Sequence, residues 1–202
     1  MPLSLIHNRD IYFGTTIFIR RSLVDRLGAS ITLSAEALPS QCDRVLHSAT
    51  LHRDDQPILR IGTTQLDGAP IAVALRKEQL RVCAEYLLRD NVPAILTGDF
   101  NNVLMSELDG ILAPPYSLQD GMARFDVRPT YNTTYVLKGA NTQRIDFVLL
   151  SPGFEIEEGK VLGEEPVKLA KGAEKPKRVA PNGKVYMSDH VGVCVKARFP
   201  AS

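Results

Sequence analysis

Neither sign of charge is in excess in this chain. Its 24 basic and 23 acidic residues leave a formal net charge of +1. No global basic field therefore announces a polyanionic partner, and any basic surface has to be local. Cysteine is scarce as well. Cys42, Cys83 and Cys194 are the whole set, and their spacing matches no metal-ligand pattern. Cys83 and Cys194 sit among apolar neighbours and read as buried thiols. An odd count without a convincing secretory start predicts an intracellular location, nuclear or cytoplasmic, rather than a secreted one. No apolar run approaches the roughly 18 residues of a membrane span. Neither an internal repeat nor an interdomain linker interrupts the 202 residues, which read as a single domain, 1–202.

What is present is a hydrophobic fraction of 44% against 23% charged residues, a soluble globular balance. Ile11 to Arg20 has strand density, and Ser30 to Leu38 alternates through Ile31, Leu33 and Ala35. Arg44 to His52 alternates again. Asp54-Asp55-Gln56-Pro57 predicts a turn and Ile58 to Leu66 the partner strand. Arg76 to Arg89 predicts a helix with Leu80, Ala84, Leu87 and Leu88 on one face and charges opposite, stopped by Asn91-Val92-Pro93. Ala94 to Thr97 reads as a short buried strand. Thr130 to Leu137 and Arg144 to Leu150 read as an antiparallel pair joined through Gly139-Ala140-Asn141. Glu155 to Lys184, rich in Gly, Pro and Lys, predicts an irregular basic loop, and Val191 to Phe199 a closing strand. Many strands joined by hairpins predict an α+β fold of two packed, mainly antiparallel β-sheets flanked by helices.

Three apolar runs end on acid, amide or imidazole groups. They are Ala94-Ile95-Leu96-Thr97-Gly98-Asp99-Phe100-Asn101, Arg144-Ile145-Asp146-Phe147-Val148-Leu149-Leu150, and Ser188-Asp189-His190 before Val191-Gly192-Val193-Cys194-Val195. Buried strands that deliver such groups are costly unless the groups meet one another, a metal or a substrate. Each run also has a plain structural reading. Asp99 and Asn101 suit an ordinary turn. Asp146 can face solvent at an edge or pair with a histidine. Ser188 and Asp189 can simply cap a strand entry. The Lys171 to Arg178 cluster reads as a solvated loop, Tyr131 and Tyr135 as core aromatics, and His7, His47 and His52 as structural. Delivery of phosphoryl-transfer groups by all three runs favours the functional reading.

In that order, Gly98-Asp99-Phe100-Asn101, Arg144-Ile145-Asp146-Phe147-Val148-Leu149 and Ser188-Asp189-His190 resemble the endonuclease/exonuclease/phosphatase superfamily. Arg60-Ile61-Gly62-Thr63-Thr64-Gln65-Leu66-Asp67 resembles the strand that usually reads Thr-His-Leu. Arg76 and Gln79 match the start of the following helix, and Pro129-Thr130-Tyr131 resembles the strand before the Ile-Asp motif. Phe13-Gly14-Thr15-Thr16, Arg60-Ile61-Gly62-Thr63-Thr64 and Ser188-Asp189-His190 are most similar to the 5′-tyrosyl-DNA phosphodiesterase-like branch. The resemblance covers Tyr12 to Phe199.

It implies a DNase I-like four-layer α/β/β/α sandwich and Mg²⁺-dependent hydrolysis of a phosphodiester, with Mn²⁺ as a substitute ion. The implied substrate is a nucleic acid end or a tyrosyl-DNA adduct. Alternatives are a phosphatase or sphingomyelinase-like hydrolase on the same fold, or a truncated, catalytically inactive fragment. Asp99 would orient or deprotonate the attacking water. Asn101 would bind the phosphoryl oxygen. Asp189 would hold the metal and its water. His190 would donate to the phosphoryl oxygen, oriented by Asp146. Gln65 stands where the family has His, so it can hydrogen-bond a phosphate but cannot carry its proton. The family's early strands, including its principal metal-binding Glu, have no counterpart before Tyr12. The expectation is a fold incomplete at its amino terminus, with an uncovered sheet edge open to self-association.

Overall fold

The computed structural model describes residues 14–69, 71–101, 104–133, 142–168, 180 and 184–199. A short helix, α1 (Arg21–Leu27), leads into β1 (Ser30–Ala37), β2 (Val45–Arg53) and β3 (Gln56–Gln65). The β2–β3 turn is tighter than predicted. Asp54 and Asp55 alone make it, both in the left-handed region at φ 49° and 60°, as a two-residue hairpin loop requires. Gln56 and Pro57 already belong to β3. The ladder shifts register between Leu51 and His52, opposite Pro57, which is where a sheet tolerates a proline without its N–H.

Helix α2 (Val73–Leu88) carries the chain back to β4 (Ala94–Asp99), which pairs with β3 in parallel. Leu80, Cys83, Ala84 and Leu87 form its buried stripe at helical spacing. Arg76 and Gln79 extend the same face and are buried too, contrary to the expected separation of apolar and polar residues. Arg60, itself buried in β3, closes the helix end by donating to the carbonyls of Leu87 and Arg89. Those carbonyls have no partner within the helix.

Then follow α3 (Met105–Leu112), β5 (Gln119–Asp120), β6 (Tyr131–Asn132), β7 (Thr142–Gln143), β8 (Asp146–Leu150), β9 (Glu155–Leu162) and β10 (Gly192–Arg198). Six strands make one sheet in the order β1-β2-β3-β4-β8-β5, and β9 and β10 make a second, antiparallel one. Alternation sends Leu46, Leu96, Phe147 and Leu149 to one face of the large sheet, against α2 and α3. It sends Leu51, Ile61, Ile95, Val148 and Leu150 to the other, against Ile156, Val195 and Ala197 of the second sheet and Leu27 of α1. Fully burying each such aliphatic side chain stabilises by roughly 1.5–3 kcal/mol. Gly62 lets α2 approach β3, because a Cβ there would lie 2.8 Å from Leu87. The result is an α+β molecule of two packed, mainly antiparallel sheets flanked by helices. No described helix is long and apolar enough to cross a membrane.

Several expectations are corrected. Residues 14–20 are not a strand; no ladder satisfies their backbone, and Phe18 is 87% exposed. Asp146–Leu150 pairs with β4 and β5, whereas the partner of Tyr131–Asn132 is Thr142–Gln143. A strand that buries side chains on both faces belongs inside a large sheet rather than in a solvated hairpin. Glu155–Leu162 is a strand despite its glutamates and glycine, because β10 pairs along it, with one register shift at Glu157, and Ile156 packs against the core. Helices α1 and α3 were not anticipated. Cys83 is buried but Cys194 only partly so. The expected Gly139-Ala140-Asn141 connection, the Lys171 to Arg178 cluster, Tyr135, His7 and the segment before Tyr12 lie outside the described residues.

Candidate active site

The parallel β3–β4 pair and the antiparallel β4–β8 pair place three polar side chains in one row. Gln65 is paired with Asp99, and Asp99 with Asp146. Each is an even number of residues from Ile61, Ile95 or Val148, so all three share the face that looks toward the second sheet. Burial of those aliphatics fixes the register, and the register aligns the polar groups. Gly98 makes the strand end possible. Its φ is 148°, and a Cβ there would lie 1.9 Å from the Thr64 carbonyl oxygen.

His190 enters this row from the segment before β10. An isolated bridge to Tyr131 and a Val191 N–H bond to the Thr130 carbonyl hold its backbone. Its Nδ1 lies 3.0 Å from Asp146 Oδ2. The Tyr131 ring packs beside the imidazole, centroids 5.0 Å apart. Thr130 is the local anchor. Its hydroxyl oxygen accepts from the N–H groups of Ile145 and Asp146.

The Asp99 carboxylate accepts from the Asn101 N–H at 2.9 Å and from Gln65 Nε2 at 3.1 Å. Burial pushes its pKa up. The Asn101 and Gln65 donors oppose that shift, the Asp146 charge adds to it, and His190 counters it. His190 is pushed up in turn. Its bond to Asp146 leads, burial opposes, and the charges of Asp146, Asp99 and Asp189 contribute. A partly buried acid held toward neutral stands beside a base held toward charged, an arrangement typical of sites that move protons.

Asn101 does not continue the strand pitch as expected. The chain turns at φ 49°, and the Asn101 amide donates to the Leu66 carbonyl at 2.7 Å. That bond ties the loop after β4 to the loop after β3. Asp189 stands beside His190 electrostatically; the Ser188 hydroxyl donates to its carboxylate at 3.3 Å, and its carbonyl accepts from Asn132 N–H. His47 and His52 lie apart from this row, His47 against Thr15. Sequence reasoning missed Arg44, whose Nη1 donates to Gln65 Oε1 at 2.6 Å. A lone arginine before a strand carries no signal of its own. Among the described residues no group of three or more His, Cys, Asp or Glu side chains is arranged to hold a metal ion.

The layered sheets, with a glycine before the last residue of β4 at a backbone angle that side chains rarely adopt, frame this row. The chain has the DNase I-like fold of the endonuclease/exonuclease/phosphatase proteins. In particular, it is similar to D. rerio TDP2 in complex with a single-strand DNA product. The TM-score is 0.61 at 20% identity, over 83% of this chain and 68% of that one. It is also similar to an endonuclease/exonuclease/phosphatase family protein from Bacteroides thetaiotaomicron, with TM-score 0.58 and 19% identity over 86% of this chain and 66% of that one. A third similar structure is the Bacteroides thetaiotaomicron VPI-5482 mannosyl-6-phosphatase, with TM-score 0.55 and 19% identity over 85% and 66%. The chain spans about two thirds of these proteins' length. No family model matches the sequence, and no curated protein matches it.

Proposed function

We propose that this chain is a phosphodiester hydrolase acting on nucleic acid ends or tyrosyl-DNA adducts. The observation that carries the reading is the row Gln65–Asp99–Asp146 in register across three strands, with His190 bonded to Asp146. Asp99 takes the proton of an attacking water; its raised pKa makes it a better base near neutral pH than an ordinary carboxylate. The water oxygen bonds to phosphorus as the bond to the leaving oxygen breaks. His190, kept protonated by Asp146, donates to a phosphoryl oxygen as charge grows there. A tyrosyl leaving group departs readily, because its phenol ionises near pH 10. Asn101 stands beside this row and is proposed to meet the phosphoryl group.

Mg²⁺, or Mn²⁺ in its place, is proposed to arrive with the phosphate near Asp189, since Mg²⁺ is commonly held by one or two carboxylates plus substrate oxygens and water. Such an ion would supply charge stabilisation to the phosphoryl group. A structurally similar protein bound to single-strand DNA product supports a nucleic acid substrate. The second reading, a phosphatase acting on a small phosphate ester, is favoured by the near-zero net charge and by the similar mannosyl-6-phosphatase.

Turnover of a 5′-phosphotyrosyl oligonucleotide and of p-nitrophenyl phosphate, each with Mg²⁺ and with chelator, tests the proposal. Mg²⁺-dependent release of tyrosine from the oligonucleotide, faster than monoester cleavage, is the expected result. Preferential monoester cleavage would replace it with the phosphatase reading.

A further inference from the structure

Gln65 bridges two charged groups. Its Oε1 accepts from Arg44 Nη1 at 2.6 Å, and its Nε2 donates to Asp99 Oδ2 at 3.1 Å. A side-chain amide has one accepting end and one donating end. Flipping it would set the amide nitrogen against a guanidinium and the amide oxygen against a carboxylate. Arg44 therefore decides which end faces Asp99. The backbone of Arg44 is held just before β2, where its carbonyl accepts from the Leu38 N–H, and its Nε is buried. Asp99 meets Asp146 from β8, His190 from the segment before β10, the Asn101 N–H from its own strand end and Gln65 from β3. Of those side chains, only Gln65 cannot titrate.

We propose that Gln65 is a positioning residue, locked by Arg44, that holds the Asp99 carboxylate in one orientation through a donor whose strength does not vary with pH. The inference concerns the site described above and rests on the proposed function only for its consequence in catalysis. Its geometry is testable without turnover.

The test is a carbon-detected NMR titration of the Asp99 carboxyl in the full chain. The parent, Gln65→Met, Arg44→Met and the double variant are compared, with thermal unfolding confirming that each is folded. Gln65→Met is expected to raise the proton affinity of Asp99 by about threefold to tenfold, the size of one lost hydrogen bond. Arg44→Met should raise it in the same direction while Gln65 is present and add nothing once Gln65 is gone. An equal effect of Arg44→Met in both backgrounds would show an arginine acting through space and overturn the proposal, as would no effect of Gln65→Met. If the parent turns over a phosphodiester, both single variants should lower kcat more than they change KM. A parent without turnover counts against the proposed function, while the titration still decides this one.

Discussion

Asp99 and His190 leave opposite marks on stability. The folded-state pKa of Asp99 lies above its ordinary 3.8 because burial disfavours the charge. Its contribution to stability is present below that value and is lost as pH rises through the folded pKa, so at neutral pH the ionised group is a net cost. Asp99→Ala should therefore gain stability relative to the parent as pH rises from about 4 to 7, measured by urea unfolding at each pH; a gap that is flat or moves the other way contradicts the assignment. The pKa of His190 also lies above its ordinary 6.5, here because Asp146 holds the proton. Its stabilising contribution is complete below 6.5 and fades as pH rises through the folded value. Asp146→Asn removes the partner, so the stability gap between parent and variant should narrow above about pH 6.5. A gap independent of pH would mean that the pair is not an ion pair in solution. The residues themselves were legible in the sequence, because an acid or imidazole at the end of an apolar run is conspicuous. Arg44 was not, because its role exists only once β2 and β3 are side by side.

At the scale of elements, β1 and β2 announced themselves through alternation, β4 and β8 as apolar runs, and α2 through its leucine stripe. What alternation cannot reveal is which strand lies beside which. The neighbours of Asp146–Leu150 depend on contacts far along the chain, so a local hairpin was expected where a central strand exists. Strand β9 was hidden for another reason. Its glutamates and Gly159 have weak strand preference, and pairing with β10 overrides it.

The link between α2 and α3 was equally invisible. Arg76 and Glu107 form a two-point ion pair, at 2.7 and 3.0 Å, with side chains only 1% and 0% exposed. Arg76 also donates to the carbonyls of Asp67 and Ala69, and Glu107 accepts from the Leu104 N–H. The pair thus clamps the loop after β3 to the start of α3, the two segments that flank Asn101. Arg76→Met should destabilise by about 3–5 kcal/mol, since it leaves a buried carboxylate unpaired. Arg76→Met with Glu107→Leu should cost clearly less than the two single changes summed, by chemical denaturation. Simple additivity would show that the pair does not act as a unit.

For the whole molecule, the two faces of the large sheet differ. Against α2 and α3, Leu46, Leu80, Leu96 and Leu149 are at most 1% exposed. On the opposite face Leu51 and Leu150 are as fully buried, but Ile31, Ile61, Ile95 and Val148 around them are only partly so. A partly covered apolar face favours association. Sedimentation is expected to show concentration-dependent self-association; a monomer at all concentrations, unfolding cooperatively, contradicts that expectation. The α+β class and the order of the motifs were readable from the sequence because hydrophobic period and turn residues are local signals. The packing of one layer on the other was not, because it depends on side chains that meet from distant parts of the chain. The most direct test of the central claim is the rate of bis-p-nitrophenyl phosphate hydrolysis by the parent, Asp99→Asn and His190→Gln, with Mg²⁺ present. Turnover by the parent that falls at least about a hundredfold in each variant is the predicted result. Equal rates in folded parent and variants would show that this row of residues is not where the chemistry occurs.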